Sequence, residues 1–197
     1  EKLKNTTVSI VGIGGLGCTA AQSLVSAGVG CIHLIDGDKV ELSNIHRQPL
    51  FDENSIDKYK AEVAAEKLSR LNKEVSVIPF MENLIAENSA KLLSGSDVVI
   101  DATDSLNARQ NIDHITQQLK IPMVYGALYR YEGQVAVFNS NGSPQYKDVF
   151  PYDSSGGETC SDAGVLGMLP GIIGHIQALE TVKLIVGIEP NLIGKLL

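Results

Sequence analysis

The sequence is poor in cysteine, in long apolar runs and in basic charge. Its three cysteines, Cys18, Cys31 and Cys160, follow no pairing or metal-ligand spacing in 197 residues. So sparse and odd a set excludes a disulfide scaffold and points to a reducing, cytoplasmic compartment. No apolar run reaches the roughly 20 residues of a membrane span. No charged segment leads into an apolar one near the start, so neither a membrane anchor nor a secretory signal is expected. Lys and Arg total 16 against 23 Asp and Glu, a formal charge of −7. That balance argues against sequence-independent binding to nucleic acid. The four histidines, His33, His46, His114 and His175, are scattered, and none reads as a ligand. Internal repeats and low-complexity tracts are absent too.

What is present suits one domain, residues 1–197, with a substantial core: the apolar fraction is 44%, normal for a globular protein. The ends, "EKLKNTT" and "NLIGKLL", are abrupt, and either could be trimmed. Strands are predicted at Thr7–Val11, Cys31–Asp36, Val75–Met81, Asp97–Thr103 and over "IPMVYGA" (121–127). Helices are predicted between them, at Gly15–Ala27, Lys58–Asn72, Glu87–Leu93 and 106–119. This alternation implies parallel βαβ units with right-handed crossovers. "EGQVAVFN" (Glu132–Asn139) follows too closely for a helical crossover and is expected to pair antiparallel. A Gly- and Ser-rich loop then runs from Ser140 to Asp162, and a last helix from Gly167 to Val186. The fold class is α/β: a Rossmann-like, mostly parallel sheet flanked by helices, with antiparallel strands toward the C-terminus.

"GIGGLG" places Gly12, Gly14 and Gly17 at G-x-G-x-x-G spacing between an apolar strand and a helix, the context this motif needs. Gly12 would allow the tight turn, Gly14 the approach of phosphates, and Gly17 close packing of helix on strand. The helix N-terminus would offer N–H groups and a positive dipole end to an anion. Asp36, ending the second strand, stands where a carboxylate takes ribose hydroxyls; Asp38 reads as more structural. The following "SNIHRQ" adds Ser43, Asn44, Arg47 and Gln48, which a plain dinucleotide site does not need. Lys60 falls at the edge of a face formed by Ala61, Ala64, Ala65, Leu68 and Leu71, in the first helical turn, from where it can extend toward the site. This extra basic charge fits a triphosphate. "DATDS" puts Asp101 and Asp104 at the ligand-binding edge of the sheet; Asp104 is the better magnesium ligand, and Asp101 the better brace for the loop.

These stretches, with "LIDGDKVELSNIHRQ", "KAEVAAEKLSRLN", "DATD", "YEGQVAVFN" and "ETCSDAGVLGMLPGIIGHIQALETVKLIVG", closely resemble the ubiquitin-activating-enzyme-like superfamily, in its MoeB/ThiF/HesA adenylyltransferase branch. The resemblance spans nearly the whole chain. It implies binding of ATP and magnesium, and adenylation of the C-terminal glycine carboxylate of a ubiquitin-like sulfur carrier protein (ThiS-like or MoaD-like), for thiamin or molybdopterin biosynthesis. It further implies that Gly15 belongs to the phosphate loop, Asp36 binds ribose, Ser43, Asn44 and Arg47 bind phosphates, Lys60 is the catalytic lysine and Asp104 the magnesium ligand. A homodimer is implied as well. The small residues Pro170, Gly171 and Gly174 suggest an interface near the last helix, where His175 reads as a core or interface histidine.

Two departures from the family pattern stand out. Many members hold structural zinc with two C-x-x-C pairs. Gln145 and Asp148 occupy the place of the first pair and the second would lie past Leu197, so no zinc is expected. The family also donates an arginine to the partner's site from ahead of the glycine loop, and no Arg precedes Val8; a truncated chain is the preferred explanation. In ThiF-like relatives a cysteine at the place of Cys160 handles the carrier covalently, the alternative being an incidental loop thiol. Tyr129 and Tyr131 are candidates to meet the carrier tail. Two other readings compete: an NAD-dependent oxidoreductase, which leaves Arg47 and Lys60 unexplained, and a non-catalytic module that binds a ubiquitin-like protein.

Overall fold

The structure is a computed structural model, and it describes residues 1–140, 142–152, 165–189 and 191–197. Six strands form one sheet: β1 (Thr7–Val11), β2 (Cys31–Ile35), β3 (Ser76–Phe80), β4 (Val98–Asp101), β5 (Met123–Tyr129) and β6 (Glu132–Phe138). Their order is β3-β2-β1-β4-β5-β6. β1 pairs parallel with β2 and β4, β2 with β3, and β4 with β5. β6 returns antiparallel beside β5, with Met123 opposite Phe138 and Tyr129 opposite Glu132. The mostly parallel α/β architecture is therefore as expected, including the antiparallel return.

The central strands are mostly apolar because both faces are covered, with Ser9 and Asp101 as buried polar exceptions. Every residue of β4 is buried, as are Val8 to Val11 of β1. Helices α1 (Gly15–Ala27), α2 (Lys60–Leu71), α3 (Ala86–Leu93) and α4 (Leu106–Leu119) make the crossovers. One core layer joins Val8, Ile10, Leu24, Ile32, Leu34, Ala64, Leu68 and Ile100; the other joins Val11, Leu92, Leu93, Val99, Ile112, Met123 and Phe138. In α2 the expected apolar face is buried except at its end, where Leu71 is half exposed. The helix stops there, one residue before Asn72, whose Nδ2 bonds the Val25 carbonyl of α1 instead.

Two expectations about the C-terminal third change. The predicted 140–162 loop contains a short helix, α5 (Tyr146–Val149). Gln145 and Asp148, the residues at the place of the first C-x-x-C pair, form its cap: the Gln145 N–H donates to Asp148 Oδ2 at 2.9 Å. The last helix, α6 (Leu169–Val186), is long and apolar enough by composition to cross a membrane. Here it packs against α1, β5 and β6. The small residues of α6 serve that packing: a methyl group on Gly174 would lie 2.5 Å from the Leu16 carbonyl oxygen of α1. The helix that approaches Gly174 this closely is α1 of the same chain. His175 is exposed rather than core, bonded to the Gly171 carbonyl one turn earlier at 2.7 Å.

Candidate functional site

The carboxyl ends of β1, β2 and β4 meet at the point where strand order reverses, with β1 between β2 and β4. Open α/β sheets bind ligands in the crevice at such a switch point. The glycine loop fills it. Gly12 has φ +89°, and a methyl group there would meet the Ala102 carbonyl oxygen at 2.7 Å. One on Gly17 would meet the Gly12 carbonyl oxygen at 1.9 Å. Gly12 is thus needed for the turn and Gly17 for close packing, as their spacing predicts. Gly14 is different. Its nearest neighbour would be Gln48 Nε2 at 3.7 Å, so this position is open. It is also the N-terminal boundary of α1, which no side chain caps. The first N–H groups of a 13-residue helix therefore remain available to an anion.

Asp36 sits at the lip of β2, nearly buried. The Ile13 N–H donates to its Oδ2 at 2.6 Å and the Asp38 N–H to its Oδ1 at 2.8 Å. Burial raises its pKa, while Lys60 and the two N–H donors work the other way. Each oxygen keeps acceptor capacity for a sugar hydroxyl. Asp38 is tied to Lys60 twice: the Lys60 N–H donates to the Asp38 carbonyl at 2.9 Å, and Nζ lies 3.2 Å from Oδ2. Lys60 opens α2 with its stem buried, so its ammonium projects from the helix start beside Asp36 and Asp38.

The "SNIHRQ" segment folds back over the glycine loop. Arg47 Nη1 donates to the Ser43 carbonyl at 2.9 Å. A methyl group on Gly15 would sit 3.0 Å from the Arg47 carbonyl oxygen and 2.5 Å from Pro170 Cβ. Asn44 is buried, its Oδ1 accepting from the Glu41 N–H at 3.3 Å. Gln48 is buried beside Gly14, and its Oε1 has no hydrogen-bond partner among the described residues. Ser43 is exposed, its hydroxyl donating to Glu41 Oε2 at 3.2 Å.

On the other side of the crevice, Asp101 braces the β4–α4 loop. The Thr103 N–H and hydroxyl both donate to its Oδ1, at 3.0 and 2.7 Å. Arg109, which the motif reading overlooked, donates from Nε to Asp101 Oδ2 at 2.6 Å and from Nη2 to the Thr103 carbonyl at 2.7 Å. Burial works against its charge, but the carboxylate beside it more than offsets this and holds the guanidinium pKa above its ordinary value. Gln177 of α6, also overlooked, donates from Nε2 to the Asp101 carbonyl at 2.7 Å. Asp104 comes next in the loop. It is exposed, and its carboxylate makes no hydrogen bond or ion pair among the described residues. A free carboxylate at this edge suits a hard cation that takes one or two carboxylates plus phosphate oxygens.

Gly12, Gly14, Gly15, Gly17, Asp36, Asp38, Gln48, Arg47 and Lys60 thus share one neighbourhood, and Ala102 joins the Asp104 loop to it. Cys160 lies outside the described residues. Tyr129 and Tyr131 are exposed at the β5–β6 turn.

Fold and site together define an α/β protein with a glycine loop at the switch point of its sheet, open to an anion. The chain belongs to the ThiF family, whose model matches residues 1–197. It is 42% identical over 199 residues to the adenylyltransferase and sulfurtransferase MOCS3 of Aedes aegypti, covering 100% of this chain and 45% of that protein. It is 39% identical over 204 residues to a sulfur carrier protein adenylyltransferase of Thermus thermophilus, covering 100% of this chain and 75% of that protein. The crystal structure of PaaA superposes with a TM-score of 0.83 at 28% identity, covering 99% of this chain and 60% of PaaA. Escherichia coli MccB with ATP shares the fold, with a TM-score of 0.81 at 22% identity over 98% of this chain and 59% of MccB. The chain spans less than half the length of the MOCS3 relatives it matches.

Proposed function

We propose that this chain carries out ATP-dependent adenylation of the C-terminal carboxylate of a ubiquitin-like sulfur carrier protein, ThiS-like or MoaD-like. The product would serve thiamin or molybdopterin biosynthesis. One observation carries the reading: a lysine with a buried stem, Lys60, stands at the glycine loop beside Asp36, where a hydride-transfer site needs no cation. The names of the Aedes and Thermus relatives support it.

In the proposed mechanism Asp36 accepts from the ribose hydroxyls, and the α1 N-terminus faces the phosphates. A carrier carboxylate oxygen attacks the α-phosphorus. The bond from that phosphorus to the β-phosphate's bridging oxygen breaks, and pyrophosphate leaves with the electron pair. No proton needs removing, because the carboxylate is already ionised near pH 7. Catalysis is positioning and charge neutralisation. Lys60 and Arg47 supply positive charge where the two anions meet, with Ser43, Asn44 and Gln48 shaping the loop that holds Arg47. Asp104 would hold magnesium, which neutralises phosphate charge when bound. The proposed assembly is a homodimer, for which the exposed apolar residues Leu166, Met168, Ile172 and Leu179 offer surface; light scattering tests it.

ATP–pyrophosphate exchange with each carrier in turn tests the activity. Exchange that depends on a carrier supports the reading and identifies the carrier. Tight NAD binding without ATP binding sinks it. ATP binding without exchange on either carrier leaves a ubiquitin-like-protein-binding module.

A further inference from the structure

We infer that Arg109 is a positioning residue for adenylation: its guanidinium fork holds the β4–α4 loop in the shape that presents Asp104 to the nucleotide. The inference rests on the proposed ATP and magnesium site. Arg109 lies one turn into α4, with a side chain only 12% exposed, and it reaches back under the crevice. Its Nε bonds the Asp101 carboxylate at the end of β4, and Nη2 bonds the Thr103 carbonyl just before Asp104. Nη2 also lies 3.3 Å from the Gly126 carbonyl oxygen of β5, and the guanidinium carbon is 4.9 Å from the centre of the Tyr125 ring. One planar group therefore spans a strand end, the loop after it and the neighbouring strand.

The division of labour with Gln177 makes this more than a fold contact. Gln177 Nε2 holds the backbone carbonyls of Asp101 and Val124, at 2.7 and 3.2 Å. It joins β4 to β5 without Arg109. What Arg109 adds lies beyond the strand: the Thr103 carbonyl, and an Asp101 carboxylate aimed so that its other oxygen receives the Thr103 N–H and hydroxyl. The same loop touches the glycine loop, where Ala102 O abuts Gly12. Asp104 itself is exposed and has no partner of its own among the described residues. Its place relative to the phosphates is therefore set by the residue before it. A lysine keeps the charge but not the fork and cannot span both acceptors in this way.

The test is calorimetric ATP binding, with magnesium and with EDTA, to wild type, R109Q, R109K and D104A. Outer-shell residues that orient metal ligands change metal affinity by about 10- to 100-fold. R109Q and R109K are expected to need at least about tenfold more magnesium for half-saturation, while binding in EDTA stays within about twofold of wild type. R109K keeps the buried charge and decides alone if R109Q does not fold. Wild-type magnesium dependence in both Arg109 variants, with the dependence lost in D104A, overturns this inference and leaves the site reading intact. Magnesium-independent ATP binding in wild type, or full dependence retained in D104A, overturns both.

Discussion

Lys60 Nζ lies 3.2 Å from Asp38 Oδ2, and the Lys60 N–H bonds the Asp38 carbonyl. The pair is unequal: the lysine side chain is 10% exposed and the aspartate 62%. An exposed carboxylate is screened by water, so the ion pair contributes little to stability, about 0–1 kcal/mol. A catalytic role and a structural role for Lys60 therefore separate cleanly. Lys60→Met keeps most of the packed stem and removes the charge. Carrier-dependent pyrophosphate exchange is expected to fall by about 10²-fold or more, with melting close to wild type. A near-wild-type rate would remove Lys60 from the mechanism.

Arg47 makes a second, independent test. Its side chain bonds only its own loop, at the Ser43 carbonyl, among the described residues. Its carbonyl oxygen faces Gly15, on the glycine loop. Arg47→Ala leaves that backbone contact in place and deletes one cation. Exchange should slow by about 10²-fold or more, and single-turnover kinetics at saturating ATP should show the loss in the chemical step. A defect confined to ATP affinity would mean that Arg47 binds the ground state and transition state equally.

The parallel sheet, the glycine loop and the placement of Lys60 were legible because each is written locally. Apolar strand runs, glycine spacing and a three-to-four residue helical period need no long-range knowledge. Arg109 and Asp113 were not legible, because each stands in "LNARQNIDHITQQL", where polar residues ordinarily face water. One signal was available for Arg109: Asp101 closes an otherwise apolar strand, and a buried carboxylate requires a partner. Gln177 announces itself in the same way, as an amide in an apolar helix. Gly174 shows the limit of such a signal: a small residue states that something approaches closely, not which chain supplies it, and here it is α1 of the same chain.

Asp113 is fully buried and holds the segment after β6. Its carboxylate accepts from Asn139 Nδ2 at 2.9 Å, the Tyr146 N–H at 3.2 Å, the Lys147 N–H at 3.3 Å and the Tyr152 hydroxyl at 2.7 Å. Two of these donors, the Tyr146 and Lys147 N–H groups, open α5. Hydrogen bonds to a buried charge contribute about 1.5–3 kcal/mol each. Asp113→Ala is expected to cost at least about 2 kcal/mol and to release the amides of 145–150 to faster hydrogen exchange. Unchanged protection there would mean that the aromatic stack of Tyr146 on Phe150 holds the segment without the carboxylate.

Cys18 gives a pH-dependent test of the core beneath the glycine loop. Its side chain is completely buried in α1, and burial pushes the thiol from its ordinary 9.0 up to about 12. At pH 8 the native thiolate fraction is then on the order of 10⁻⁴, so Cys18 should resist alkylation until the protein unfolds. The same shift fixes a sign. In the unfolded chain the thiol ionises near 9.0, and in the folded protein only near about 12. Between these values the unfolded state alone gives up the proton, so stability present below pH 9.0 is lost as pH rises. The loss attributable to this one group approaches about 1.4 kcal/mol per pH unit. Other groups titrate in this range as well, so the measurement is a comparison: urea melts of wild type and Cys18→Ala from pH 8 to pH 11. Wild type should lose stability more steeply above pH 9. Parallel curves would mean that water reaches Cys18 and that the base of the glycine loop opens readily in solution.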